Sequence, residues 1–198
     1  VVMDQSSPLA LYRQAIAREG FVSDAAQLRA VDLLQHCHEQ VHAGEVPGGV
    51  YLWGPVGRGK TWLMDMFHTS LRVPARRQHF HHFMRWVHMR LFQLNGTADP
   101  LQALARELAG EVRVLCFDEL FVGDIGDAII LGRLFRVMFE EGVVIVATSN
   151  QPPDQLYADG YNRERFLPAI EAIERHMHVV DVDGGADHRL RPGAALQR

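Results

Sequence analysis

The run Gly54–Thr61 reads GPVGRGKT, a complete G-x-x-x-x-G-K-[ST] pattern. Glycines at these spacings let a loop turn tightly and aim successive backbone N–H groups at one point. The result is an anion cradle at a helix start. Lys60 is then placed to reach the β and γ phosphates of a nucleotide, and the Thr61 hydroxyl to enter a magnesium shell. Gly54, Pro55, Val56, Gly57, Arg58, Gly59, Lys60, Thr61 and Trp62 are the expected nucleotide contacts, with ATP and Mg2+ as the implied ligands. A plain glycine-rich surface turn would explain neither the lysine nor the apolar strand before it and the helical pattern after it.

Asp118 and Glu119 follow the apolar run VRVLCF. Beside a phosphate loop, the first acid can hold magnesium directly or through water. The second points elsewhere and can accept a proton from a water aimed at the γ phosphate. A simple kinase would need only the first, so the pair favours hydrolysis over transfer to another acceptor; the alternative is that Glu119 merely caps the next loop. VVIVATSN ends a second apolar run in Thr148, Ser149 and Asn150. If the sheet sets this strand beside VRVLCF, Asn150 can orient the water or sense the γ phosphate; alone, it reads as a turn before Pro152 and Pro153.

Arg163 and Arg165 lie in YNRERF. One of them can neutralise charge on the γ phosphate, from a neighbouring subunit. A surface pairing of Arg165 with Glu164 or Asp159 stands equally open, as does the choice between the arginines. In HFHHFMRWVH, His79 and His81 would share one face of a strand, which raises a metal site. No cysteine or carboxylate stands at ligand spacing nearby, so a sheet-edge strand with Phe80 and Phe83 packed is the milder expectation. Interleaved histidine, Arg85 and Trp86 give only a weak indication of nucleic acid or a partner peptide.

These residues need a scaffold. Helices are expected at Leu9–Arg18, ending at Gly20, and from Asp24 to about Val41. Strands are expected at Val50–Trp53, His79–Phe83, Val112–Phe117, Val143–Ala147 and Met177–Val182. Helices fill Thr61–Leu71, Met84–Leu94, Leu101–Ala109, Asp127–Glu140 and Arg165–His176. Alternation of this kind predicts an α/β fold: a mostly parallel five-stranded central sheet with helices on both faces. The continuously apolar runs VRVLCF and VVIVA belong at its centre. Ligands in such sheets bind beyond the carboxyl ends of the strands, where the candidate loops leave.

The 198 residues suit one domain, and 47% hydrophobic content argues against disorder. No window is apolar enough to span a bilayer, and VVMDQSSPLA does not read as a secretory signal. Cys37 and Cys116 form no C-x-x-C pair, which fits a reducing compartment. A formal net charge of −4 leads us to expect no nucleic-acid partner.

Together, GGVYLWGPVGRGKTWLMDMF, VRVLCFDELFVGDIGDAIILGRLF and VVIVATSNQPPDQLYADGYNRERFLPAIEAI resemble the ZapE family of cell division ATPases. That family is a branch of the AAA+ ATPases with mitochondrial relatives, and the likeness runs from about Pro8 to Leu190. It implies a P-loop AAA+ core at 49–190, a helical lead-in at 1–48 and a tail at 191–198, with the family's C-terminal helical lid absent. Gly54–Thr61 matches the Walker A loop, Asp118 and Glu119 the magnesium acid and catalytic glutamate, and Asn150 the polar sensor 1 position. Arg163 and Arg165 fall in the arginine-bearing stretch. The turn His42–Gly49 is short where the family carries a polar insertion. The resemblance further implies recruitment to the division ring through FtsZ, homo-oligomers on ATP binding, and a cytoplasmic setting beneath the inner membrane. The runner-up reading is an ATP-dependent nucleic-acid-associated module such as a helicase loader; a P-loop kinase and an ATP-binding scaffold rank lower.

Overall fold

A computed structural model describes residues 7–19, 24–56 and 59–183. Helices α1 (Pro8–Glu19) and α2 (Ala25–His42) come first. Asp24 starts α2 because its extended backbone lets the side chain accept the Gln27 N–H at 2.9 Å. Val31, Leu34, Cys37 and Val41 then recur at helical spacing and are buried. The expected Gly20 terminus of α1 lies outside the described residues.

Strand β1 (Gly49–Trp53) leads through the phosphate loop into α3 (Gly59–Ser70). Next come β2 (Ala75–His79), α4 (Phe80–Gln93), α5 (Pro100–Glu111), β3 (Val114–Asp118), α6 (Ile125–Glu140), β4 (Val144–Ser149), α7 (Leu167–His176) and β5 (Met177–Asp181). Two single 3-10 turns, Pro153–Gln155 and Arg163–Arg165, lie between β4 and α7.

The five strands pair in parallel in the order β2-β3-β4-β1-β5. The central position expected for VRVLCF and VVIVA is found, and β3 lies beside β4 with Phe117 opposite Ala147. Alternation along the strands splits the core into two layers. Leu115, Phe117 and Ile145 face α4–α7, whereas Val114, Cys116 and Val146 face α1–α3.

One expected strand is wrong. His79–Phe83 does not form a strand; β2 is ARRQH and α4 begins at Phe80. An edge strand that is half-buried throughout tolerates this basic sequence, so it carries no apolar signature. Phe80, Phe83, Met84 and Val87 are the buried stripe of a helix, and Phe80 rests edge-on to Phe117 at 5.2 Å. His79 therefore ends β2, whereas His81 and His82 belong to the first turn of α4.

Candidate nucleotide site

The loops after β1, β3 and β4 leave the same sheet edge, and hydrogen bonds tie them together. The Gly54 N–H donates to the Ser149 carbonyl at 3.2 Å, joining the phosphate loop to β4. Glu119 N–H donates to Thr148 Oγ1 at 3.0 Å, and Leu120 N–H to the Thr148 carbonyl at 2.7 Å. Ser149 Oγ donates to the Leu120 carbonyl at 2.9 Å. Tyr51 reaches across from β1 and donates to the Gln151 carbonyl at 2.7 Å, holding the turn that carries Asn150.

Lys60 sits in the first turn of α3 and is only 7% exposed. Its Nζ donates to the Gly54 and Pro55 carbonyls, both at 2.7 Å, so the ammonium lies inside the loop. Burial pushes its pKa down, while the negative charges of Asp183 and Glu119 oppose that shift. Pro55, Val56 and Thr61 are exposed; Gly57 and Arg58 lie outside the described residues. Trp62 turns toward α1, its ring 5.7 Å from that of Tyr12, so its side chain serves packing between α3 and α1.

Asp118 ends β3 in a bidentate ion pair. Arg77 Nε donates to Oδ2 at 2.8 Å and a terminal guanidinium nitrogen to Oδ1 at 3.0 Å. Arg77 also binds Asp65 of α3, and the two carboxylates, Asp118 foremost, raise its pKa. Glu119, one residue on, adopts φ 58°. For a residue with a Cβ this left-handed conformation costs about 1–2 kcal/mol, so it persists only where the surroundings enforce it. Its exposed carboxylate pairs with Nε2 of His79, the last residue of β2. The two acids at this strand end thus pair with different residues of β2, Asp118 with Arg77 and Glu119 with His79.

Asn150 is exposed in the bend after β4. The two arginines differ sharply. Arg163 donates to the Leu156 carbonyl at 3.3 Å through Nε and to the Asp154 carbonyl at 2.6 Å, bracing its own turn. The Arg165 side chain is exposed and makes no hydrogen bond or ion pair among the described residues, so the alternative pairing with Glu164 or Asp159 is not formed.

Hard oxygen donors at this edge fit magnesium: the exposed Thr61 hydroxyl and the Asp118 carboxylate, whose oxygens keep lone pairs beyond those given to Arg77. Among the described residues no group of three or more His, Cys, Asp or Glu side chains stands ready to hold a metal ion. Magnesium needs none, since it takes one or two protein ligands and completes its shell with water and phosphate. Sequence reasoning missed Arg77, the pairing of His79 with Glu119, and the bracing role of Thr148. Only knowledge of β2's true register, with Arg77 opposite Cys116 and His79 opposite Asp118, brings these two side chains to the acids.

A family model described as AFG1-like ATPase matches residues 6–196. The chain belongs to the AFG1-like ATPase family. Over 144 residues it is 55% identical to "Cell division protein ZapE" of Escherichia coli K12, an alignment covering 72% of this chain and 38% of that protein. This AFG1-like chain thus spans well under half the length of the curated relative. Among solved structures it superposes on DnaI with a TM-score of 0.61 at 19% identity, covering 81% of this chain and 86% of that one. It superposes on "Replication initiator DnaA bound to AMPPCP and single-stranded DNA" with a TM-score of 0.59 at 17% identity, covering 82% and 48%. These likenesses show an AAA+ type P-loop fold. They also overturn the expectation against nucleic acid: a protein captured with single-stranded DNA has this architecture, and a net charge of −4 averages over the surface without describing any one patch. Among the described residues of this AFG1-like core, no helix is long and apolar enough to cross a membrane.

Proposed function

We propose that this chain is the ATP-hydrolysing core of a ZapE-like AAA+ ATPase that works at the bacterial division ring with FtsZ. The observation that carries the reading is the convergence of three loops at adjacent strand ends, tied by the Gly54–Ser149 and Glu119–Thr148 hydrogen bonds. The loop amides and buried Lys60 bind the phosphates, and Thr61 with Asp118 holds magnesium. Magnesium, when bound, would neutralise charge developing on the phosphate oxygens. Glu119 accepts the proton of the attacking water, and Asn150 orients that water or senses the γ phosphate. Arg165, whose side chain is exposed and unpaired among the described residues, is the better placed of the two arginines to serve a neighbouring subunit's nucleotide.

The test is phosphate release by the full-length protein with and without polymerised FtsZ, beside ATP calorimetry on Lys60→Ala. We expect hydrolysis that responds to FtsZ, and binding weakened at least about tenfold in the variant, since a charge aimed at phosphate is lost. Wild-type affinity in Lys60→Ala would remove the phosphate-loop assignment; indifference to FtsZ would remove the partner.

A nucleic-acid-associated module is the second reading. Helix α4 contains Arg85 and Arg90 and no acidic residue, and it leaves Arg85, Met89 and Phe92 exposed. Titration with single-stranded DNA at two salt concentrations separates the readings, because phosphate contacts weaken steeply with salt.

A further inference from the structure

We propose that Thr148 is a positioning residue for hydrolysis: its hydroxyl oxygen accepts the Glu119 amide and so fixes the turn that aims the Glu119 carboxylate. The inference rests on the reading of Glu119 as the base that activates water.

Three features point to it. First, the regular β3–β4 register extends to Phe117 opposite Ala147, just before the acidic pair. Beyond it the Glu119 amide finds a side-chain acceptor, Thr148 Oγ1 at 3.0 Å. Second, the next amide, of Leu120, goes to the carbonyl of the same threonine at 2.7 Å. Two successive N–H groups therefore converge on one residue. Third, Glu119 takes the left-handed conformation at φ 58°. Thr148 is 4% exposed and Ser149 2%, so water has little access to replace these bonds. Ser149 Oγ secures the far side of the turn through the Leu120 carbonyl at 2.9 Å. Without the hydroxyl, the Glu119 N–H loses its partner and the left-handed turn keeps only its restraints at Leu120, which leaves the Glu119 carboxylate less firmly aimed.

The substitutions Thr148→Ser, Thr148→Ala and Thr148→Val separate this role from core packing. Serine and alanine both lack the γ-methyl and differ only in the hydroxyl; valine keeps the shape without the acceptor. In the full-length protein we expect Thr148→Ser to keep kcat within about threefold. Thr148→Ala and Thr148→Val should lower kcat about ten- to hundredfold, the usual scale for a misaimed base, with ATP affinity nearly unchanged. In a Glu119→Gln background, where no base remains to aim, the alanine change should add little further loss. Should the valine variant fail to fold, the serine and alanine pair decides the matter.

The proposal is overturned if alanine and serine variants turn over alike, or if the alanine loss persists undiminished beside Glu119→Gln. If Glu119→Gln alone hydrolyses at the wild-type rate, the reading of Glu119 itself fails and this inference falls with it. If Glu119→Gln is slow while Thr148→Ala is fast, the threonine's role alone is rejected.

Discussion

Asp118 and Glu119 occupy consecutive positions and meet opposite chemistry: a guanidinium fork on one, an imidazole on the other. Each environment suits a different task. A carboxylate gripped by two parallel N–H bonds is fixed in direction, which suits a magnesium-ordering group. A carboxylate on an exposed side chain with one imidazole partner can turn toward water. Glu119→Gln should therefore bind Mg-ATP normally and hydrolyse it about 10² to 10⁴-fold more slowly, because an amide cannot take the proton. Asp118→Asn should instead raise the magnesium concentration needed for half-maximal phosphate release. Magnesium titrations of both variants check this, and identical profiles would reject the separation of roles. The phosphate loop, the acidic pair and Asn150 were legible in the sequence because local spacing encodes them. Arg77 and His79 were not, since their meaning depends on which strand lies beside β3.

Among the elements, strands with a continuous apolar run were readable and the basic edge strand was not. ARRQH pairs only with β3, so nothing in its composition distinguishes it from a loop. Phe80 and Phe83 were visible as apolar residues but were assigned to a strand placed too late in the chain, so the helix was expected to start at Met84 and not at Phe80. The segment between β4 and α7 makes a sharper case. Sequence left Arg163 and Arg165 equal, and the fold separates them by where their side chains go. Helix α6 comes so close to this turn that a Cβ at Gly132 would lie 2.4 Å from the Arg165 carbonyl. The turn is thereby anchored to a rigid element, and Arg163 braces it from within. Arg163→Ala should therefore lower stability by about 1–2 kcal/mol, the scale of lost bonds to partly buried carbonyls, measured by urea unfolding. Arg165→Ala should leave stability within about 0.5 kcal/mol, as exposed substitutions do. It should also cut phosphate release by up to about 10³ to 10⁵-fold if the guanidinium meets the transition state. The reverse pattern, an unstable but active Arg165 variant and a stable but inactive Arg163 variant, would exchange the assignments.

At the scale of the molecule, the parallel sheet divides two apolar layers, and both cysteines belong to one of them. Cys37 of α2 and Cys116 of β3 are free, buried and packed in the α1–α3 layer. Burial pushes the Cys37 thiol from 9.0 up to about 12 and raises Cys116 above its ordinary value as well. The consequence for stability follows from proton linkage. A group whose native pKa is raised keeps its full contribution below the unfolded value and loses it as pH climbs toward the native one. Near pH 7 both states hold nearly all their thiol protons, so the cysteines add almost no slope there. Above about pH 9 the unfolded chain ionises while the native chain does not, and each thiol should then cost about 1.4 kcal/mol per pH unit. The raised Tyr51 hydroxyl, starting from 10.0, adds a loss of the same sign at higher pH. Lys60, lowered by burial, acts in the opposite sense. Comparing urea midpoints of the wild type and the Cys37→Ala/Cys116→Ala variant from pH 7.5 to 10.5, with reductant present, isolates the thiols. Alanine lowers the midpoint at every pH by leaving cavities, but it should flatten the decline above pH 9. Two curves that stay parallel across that range would mean that the α1–α3 layer opens enough in the native state for the thiols to ionise there. Such opening would loosen α3, the helix that carries Lys60 and Thr61 into the site.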